Sequence, residues 1–495
     1  MPQTTLPEVP LPAPGPLIGT DRLTESSGGS AVHRFPATGV ADQPVPMAGA
    51  REIDLAVAAG TAAAAEWRAL TPDRRRDVLL RLADVVEDHG DELVALSIRD
   101  SGFPLRVTAL DPSRDTGGLR YNAGWADKII GDVVPTWFGS AFDYAVSEPI
   151  GVVGIFATWN TPVYNIGLTA APALAAGNAI ILKPSELAPY AYLRFGELCL
   201  EAGLPAGLVN VLPGGAEAGT ALVEHPGVGK VHFTGGGTVG RRVAALAAEH
   251  LKPVDLELGG KSANLIFPDA DLERAVAVSV GGIHGGSGQT CITAGRMLVH
   301  ESIVDDVVEI ARKQIAQHVL GDPFDAGTTM GPVITEAART RILAMVDRAT
   351  REGAELCAGG AAAAVPGADG ALAGGYFVEP TLLAGVRPDS ELAQTEVYGP
   401  VLSVSTFRTE AEAVALANGT PFGLSAYVQT RDVGRVHRLA AQLACGSVYV
   451  NGRGGIGPGM PFGGFKESGY GRLGGREGLM AFMQTKNVWI SMDDD

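Results

Sequence analysis

Three side chains in this sequence have types and settings that suit covalent chemistry at a carbonyl. Cys291 lies in Gly288-Gln289-Thr290-Cys291-Ile292-Thr293-Ala294-Gly295-Arg296, and a thiol there becomes a nucleophile once it loses its proton. A lone cysteine is as readily a small buried hydrophobe, so its company decides its meaning. Glu257 ends an apolar strand in Leu256-Glu257-Leu258-Gly259-Gly260-Lys261. Among leucines its charged form is disfavoured, which poises it as a general base near neutral pH; a paired surface glutamate is the plainer reading. Asn160, in Ala157-Thr158-Trp159-Asn160-Thr161-Pro162, could donate to a developing oxyanion or simply shape a turn.

Two further stretches suit a nucleotide. Lys230-Val231-His232-Phe233-Thr234-Gly235-Gly236-Gly237-Thr238-Val239-Gly240 matches GxGxxG at 235, 237 and 240, between a predicted strand and a predicted helix. Amides at such a helix start attract a pyrophosphate. With 66 glycines in the chain the match alone is weak. The fingerprint also expects an acidic residue about 20 positions on, a place Glu257 could fill. In Ile180-Ile181-Leu182-Lys183-Pro184-Ser185-Glu186 a strand ends in a cation and a carboxylate. Glu186 and Lys183 could bind the hydroxyls of an adenosine ribose, or Ser185 and Glu186 could open a helix.

The elements that must carry these residues show in the apolar rhythm. From Ile150 onward, short runs at 152–157, 179–182, 208–212, 231–233 and 254–256 alternate with helical stretches, which implies βαβ units and a parallel sheet. Ligands of such a sheet sit outside its carboxyl ends. A second α/β region follows, with strands expected at 264–267, 296–299, 402–407, 426–428 and 447–450. Helical patterns cover 53–67, 78–98 and 115–130. Residues 1–50 read as a tail along the surface, 361–375 as a low-complexity surface excursion, and 452–459 as a mobile glycine-rich loop. Segments 133–147 and 488–491 look like strands outside both units.

Bulk properties exclude several classes. The chain has 495 residues, is 46% hydrophobic and 19% charged, and carries a formal charge of -17, so a nucleic-acid partner is not expected. The N-terminus lacks a signal-peptide pattern, and the run 167–182 is broken by Pro172 and Asn178, so no membrane span is expected. Four cysteines without CxxC spacing signal no zinc or other metal site, and suit a reducing, cytoplasmic setting.

Taken in order, Trp159-Asn160-x-Pro162, Lys183-Pro184-Ser185-Glu186, Phe233-Thr234-Gly235, Leu256-Glu257-Leu258-Gly259-Gly260-Lys261, Gly288-Gln289-Thr290-Cys291, Glu396-Val397-Tyr398-Gly399-Pro400 and Pro461-Phe462-Gly463-Gly464-Phe465-Lys466-x-Ser468-Gly469 resemble the aldehyde dehydrogenase superfamily. The interval from Glu257 to Cys291 is similar too, and the likeness spans about 52–490. The resemblance implies a Rossmann-type cofactor domain (51–132 and 150–258), an α/β catalytic domain (259–459), and a small β oligomerisation flap built from the bridging segments 133–149 and 460–495. An extended segment, 1–50, precedes them.

It implies Cys291 as nucleophile, Asn160 with the Cys291 N–H as oxyanion hole, and Glu257 as the base for the hydrolytic water, which removes Glu257 from the ribose. NAD is the implied cofactor, with NADP admitted by a rotated Glu186. Lys183, Ser185, Glu186, Thr234, Gly235, Gly236, Gly240, Trp159 and Glu396 are the implied cofactor set. Thr161, Thr290, Ile292, Arg453 and Ile456 are the expected substrate pocket. A small-molecule aldehyde and a homodimer or homotetramer complete the expectation. An acyl transfer to CoA, or a catalytically silent binding protein on the same fold, are the alternatives. The chain departs from the family at Thr161, where an aromatic is usual, at Gly236, where serine is common, at Leu473, where a glutamate is frequent, and in the loop before Pro461, whose only charge is Arg453.

Overall fold

Five apolar strands, Val152–Ala157, Ala179–Pro184, Val209–Val211, Val228–Thr234 and Val254–Glu257, are almost wholly buried, as strands covered on both faces must be. In the computed structural model, which describes residues 6–109, 115–365 and 370–493, they pair in parallel. Their spatial order runs from 209 through 179 and 152 to 228 and 254. Chain order therefore reverses between Val152–Ala157 and Val228–Thr234, and the crevice beyond their carboxyl ends is the natural ligand site of an open α/β sheet.

Antiparallel strands close both edges. Leu17–Ile18 pairs with Val209–Val211, and Gly469–Tyr470 with Val254–Glu257. The first of these corrects the reading of a surface tail. Leu17, Phe35, Ala37 and Val45 are buried, the hairpin of Ser30–Arg34 and Ala41–Pro46 packs over Leu96 and Tyr190, and Glu52, buried at the start of helix Ala50–Ala69, accepts from the backbone N–H groups of Ser27 and Gly49. Strands of two residues flanked by prolines carry no periodicity, so the pattern could not reveal them. The expected excursion at 361–375 is likewise partly interior: Val365 and Leu372 cover Phe35 and Phe377, and residues 366–369 lie outside the described chain.

Helices Ala50–Ala69, Pro72–Asp88 and Gly90–Ser101 follow the hydrophobic periodicity. The single run expected at 78–98 breaks at His89, which caps both neighbours. Trp67, fully buried, donates its indole N–H to the Leu174 carbonyl at 2.9 Å and fixes the first helix to the sheet side of the core.

The second sheet orders its strands Glu355–Ala358, Thr381–Ala384, Val401–Phe407, Arg296–His300, Ala263–Ile266, Ser425–Gln429 and Ser447–Val450, parallel except at the first edge. The segments 133–147 and 488–491 pair with each other: Ala141–Pro149 lies between Asp132–Val134 and Met483–Ser491 in an antiparallel sheet. No described helix is long and apolar enough to cross a membrane.

Asn160 and Glu257 follow or end strands of the first sheet, whereas Lys261, Cys291 and Glu396 precede strands of the second. The carboxyl edge of one sheet thus faces the amino edge of the other, and the chemistry-bearing residues line that seam.

Candidate active site

The loop that presents Cys291 is fixed mainly by backbone geometry. Helix Leu272–Gly285 ends at Gly286, and Ser287 and Gly288 then take consecutive left-handed conformations (φ 54° and 71°). A Cβ at Gly288 would lie 2.0 Å from the Gly399 carbonyl oxygen, so only glycine lets the two strands of backbone meet. Buried Gln289 clamps the turn. Its Nε2 donates to the Gly286 carbonyl at 3.0 Å, and its Oε1 accepts from the Ile334 N–H at 2.9 Å. The Ser287 hydroxyl adds a bond to the Gly331 carbonyl at 2.7 Å.

Asn160 reaches this turn from the first sheet. Thr161 precedes helix Pro162–Asn165, with proline at its first position, and the Thr161 hydroxyl accepts from Asn165 Nδ2 at 3.3 Å. Asn160 itself is only 9% exposed. Its Nδ2 donates to the Gln289 carbonyl at 3.1 Å and to the Tyr398 hydroxyl at 3.0 Å. Both amide protons are therefore engaged, and an alkoxide on the thiol's substrate would draw one of them away from Tyr398. Trp159 stands edge-on between Phe103 and Tyr398, ring centroids 6.0 and 5.7 Å away, which holds the Asn160 backbone against the loop.

The glycine pair after Glu257 brings three functional groups together. A Cβ at Gly260 would sit 2.9 Å from the Cys291 carbonyl oxygen, and one at Gly259 2.1 Å from Glu396 Oε2. Glu396 Oε1 accepts from the Gly260 N–H at 3.0 Å. A crevice results, lined by Cys291, Thr290, Glu396, Tyr398, Gly260 and Lys261 among others.

The electrostatics around Cys291 are those of two acids, a buried lysine and a thiol. Burial raises Glu396 to about 7, against the opposing pull of the Gly260 N–H, Lys261 and Arg341. Glu257 is 4% exposed, and neither carboxylate oxygen has a hydrogen-bond partner. Burial holds its pKa well above the usual carboxylate range, with Arg472 opposing and Asp255 adding. Half-buried Cys291 is pushed up to about 12, first by burial and then by the charges of Glu396 and Glu257. A thiol in this state needs a base or a nearby positive charge to ionise. Leu473, at the position where the family often has a glutamate, is buried and exchanges backbone bonds with Phe462 beside this base.

The second group of expected residues lies along the carboxyl edge of the first sheet. Lys183 is buried and donates to the carbonyls of Pro184 and Gly214 at 3.2 and 2.6 Å. Glu186 is exposed, and the Ser185 hydroxyl accepts from the Leu187 N–H, a local turn and not a helix cap, since the helix begins at Tyr190. Helix Gly237–Glu249 starts at the end of Val228–Thr234. A Cβ at Gly236 would meet nothing within 4 Å, so the helix N-terminus opens onto free space, whereas Gly240 is pressed against Leu258. The Gly235 N–H is used by the Glu257 carbonyl, and Thr234 Oγ1 lies 2.9 Å from His232 Nε2. An open helix N-terminus, a cation and an unengaged carboxylate at the reversal of strand order fit an adenine dinucleotide.

The expected substrate residues lie on several elements. Thr290 lines the crevice, the Ile292 carbonyl accepts from the Tyr427 hydroxyl at 2.8 Å, and the Ile456 carbonyl accepts from the Tyr164 hydroxyl. Arg453 lies on the helix leading to the thiol. The glycine-rich loop makes specific contacts with the body of the chain. Gly454 takes φ 66° where a Cβ would strike Tyr449 at 2.1 Å, and Gly459 packs on Tyr121. Sequence reasoning assigned no role to Gln289 or Tyr398. Both stood within quoted motifs, but a clamp and a partner for Asn160 are tertiary facts with no local signature.

Comparison with known proteins agrees with this geometry. The sequence pattern of the Aldehyde dehydrogenase family matches residues 24–488. A betaine aldehyde dehydrogenase of Cereibacter sphaeroides is 38% identical over 482 residues, which is 97% of this chain and 98% of that one. An aldehyde dehydrogenase from Bacillus cereus, solved as an NAD+ complex, superposes with a TM-score of 0.91 at 35% identity, covering 97% and 96% of the two chains. An NADP-dependent enzyme of E. coli gives 0.92 at 34% identity, covering 97% and 98%.

Proposed function

Since the chain belongs to the aldehyde dehydrogenase family, we propose that it oxidises an aldehyde to the carboxylic acid with NAD(P) through a thioester on Cys291, hydrolysed by water that Glu257 activates. The observation that carries this reading is the buried, unpartnered Glu257 carboxylate at the end of the strand that leads into Gly260, which packs against the Cys291 carbonyl.

The Cys291 thiolate attacks the aldehyde carbon, its proton having passed to a base. The alkoxide so formed is stabilised by Asn160 Nδ2 and the Cys291 N–H, with Tyr398 giving up its hold on the amide. When bound, the cofactor supplies a cationic ring that accepts the hydride leaving this carbon. Glu257 then takes a proton from water, whose oxygen attacks the thioester, and the thiolate leaves to restore Cys291. Aldehyde, NAD(P)+ and water become carboxylate, NAD(P)H and two protons.

Lys183, Glu186 and the Gly235–Gly240 turn bind the adenosine and pyrophosphate, and Glu396 the second ribose. The exposed Glu186 carboxylate repels a 2′-phosphate, which favours NAD over NADP. The chain assembles as a homodimer or homotetramer through its three-stranded sheet and the adjoining segment, where Trp137 (88%), Phe138 (83%), Trp489 and Ile490 are all exposed. Patches of this kind are covered in stable proteins. The cytoplasm, which keeps the thiol reduced, is its compartment.

Cys291→Ser is expected to abolish NAD(P)H formation across an aldehyde panel while cofactor binding, read by calorimetry, persists. Full turnover in that variant would overturn the assignment.

A further inference from the structure

The crevice holding Cys291 leaves the remote end of the substrate unassigned, and the surroundings of helix Leu272–Gly285 supply a chemistry for it. The loop 452–459 lays Arg453 along this helix. The guanidinium carbon lies 3.3 Å from the Cβ position of Gly281, and one Nη donates to the Gly281 carbonyl at 3.3 Å. The Cβ position of Gly285 has Arg453 Nη2 at 4.0 Å and Val107 Cγ2 at 3.9 Å. Arg453 and the short helix Leu105–Thr108, which carries Arg106, therefore converge just ahead of the Cys291 turn.

His284 lies in the same last helical turn. Its Nε2 is buried without a partner, as is that of neighbouring His318. The charged and titratable groups that act on His284 are Arg453, Arg106 and His318, with no carboxylate among them. Among the described residues neither Arg106 nor Arg453 forms an ion pair, and both are exposed, so their charges are free to meet a ligand. In a chain of net charge -17, two arginines and two histidines gathered with no carboxylate acting on them form a spot whose chemistry suits a bound anion. Tyr427 links it to the thiol: its hydroxyl holds the Ile292 carbonyl, and both Cys291 and Arg453 act on its ionisation.

We propose that the aldehyde carries a carboxylate at the end remote from its carbonyl, held by Arg453 and Arg106 while the carbonyl meets Cys291. This rests on the aldehyde-oxidising reading above. A guanidinium offers a planar fork that matches a carboxylate, and Arg453 has spent one long hydrogen bond of the five that its donors allow. The same charges repel a quaternary-ammonium aldehyde.

The test is the ratio of kcat/KM for an ω-carboxy aldehyde, such as succinic or adipic semialdehyde, to that for its methyl ester, with betaine aldehyde as the cationic arm. In the wild-type enzyme this ratio is expected to be at least about 10, mainly through KM, and to shrink with added salt. Arg453→Gln and Arg106→Gln should each lower the ratio, by about 10-fold or more. Arg106→Gln guards against a merely disturbed loop in the Arg453 variant. Equal use of acid and ester, a preference for betaine aldehyde, or ratios unmoved by both variants would overturn the proposal while leaving aldehyde oxidation intact. Failure to oxidise any aldehyde would instead sink the reading beneath it.

Discussion

The turn around Cys291 and the groove beyond the first sheet meet at one seam yet are built in opposite ways. Around the thiol nearly every polar group is engaged before any ligand arrives. Gln289 bonds on both sides of the turn, Asn160 spends both amide protons, and Gly288, Gly259 and Gly260 allow contacts no side chain could tolerate. In the groove, Glu186 is exposed, and Gly236 faces open space at a helix N-terminus. The contrast follows from what each region must do. Groups that form and break bonds act best when already oriented, while the groove, with Lys183 and the Gly235 N–H already engaged, leaves an exposed carboxylate and a helix N-terminus open to a polar cofactor. Glu257 breaks the pattern on the thiol's side, since it is buried and bonded to nothing, and that exception marks it as the group held ready to move a proton.

Changes on the thiol's side should therefore be the costly ones. Glu257→Gln is expected to lower steady-state turnover by about 10²- to 10⁴-fold while a first burst of NAD(P)H survives in stopped-flow traces. Its pKa is raised, so wild-type deacylation should fall away on the acid side, at a pH above the ordinary carboxylate range. The same shift has a stability sign. The folded state holds the proton more tightly than the unfolded chain, so this group lowers stability as pH rises from the unfolded carboxylate pKa through the folded one. Glu257→Gln should accordingly melt higher than wild type at pH 8, the gap closing at low pH.

Gly288→Ala comes next. With φ at 71° and a carbonyl 2.0 Å from the new Cβ, it should cost about 2 kcal/mol or more in denaturant titration, with loss of turnover. A mild effect would mean the turn is less constrained than its geometry implies. The smallest effect belongs to the groove: Glu186→Gln should raise the NADP-to-NAD ratio of kcat/KM by about 3- to 10-fold with little change in melting temperature.

What could be read in advance divides along similar lines. The parallel strands showed as apolar runs because each is buried on both faces, and Asn160, Glu257 and Cys291 stood in motifs at their ends. The edge strand Gly469–Tyr470, whose Gly469 lies opposite Glu257, is too short for any period to show. Leu17–Ile18 was hidden among prolines for the same reason. Tyr398 and Gln289 act through neighbours distant in sequence, and the convergence of Arg106 with Arg453 depends on two glycines of a helix between them. Such facts arise only when the chain has closed.

The central claim is that the acyl group rests on Cys291 and leaves by way of Glu257. Intact-mass and peptide mass spectrometry of Glu257→Gln, quenched after mixing with aldehyde and NAD, tests it directly. One acyl group per chain, on the peptide containing Cys291 and persisting far longer than in wild type, is the predicted result; an unmodified Cys291 peptide in a variant that still makes NADH, or wild-type release of the acid, would contradict it.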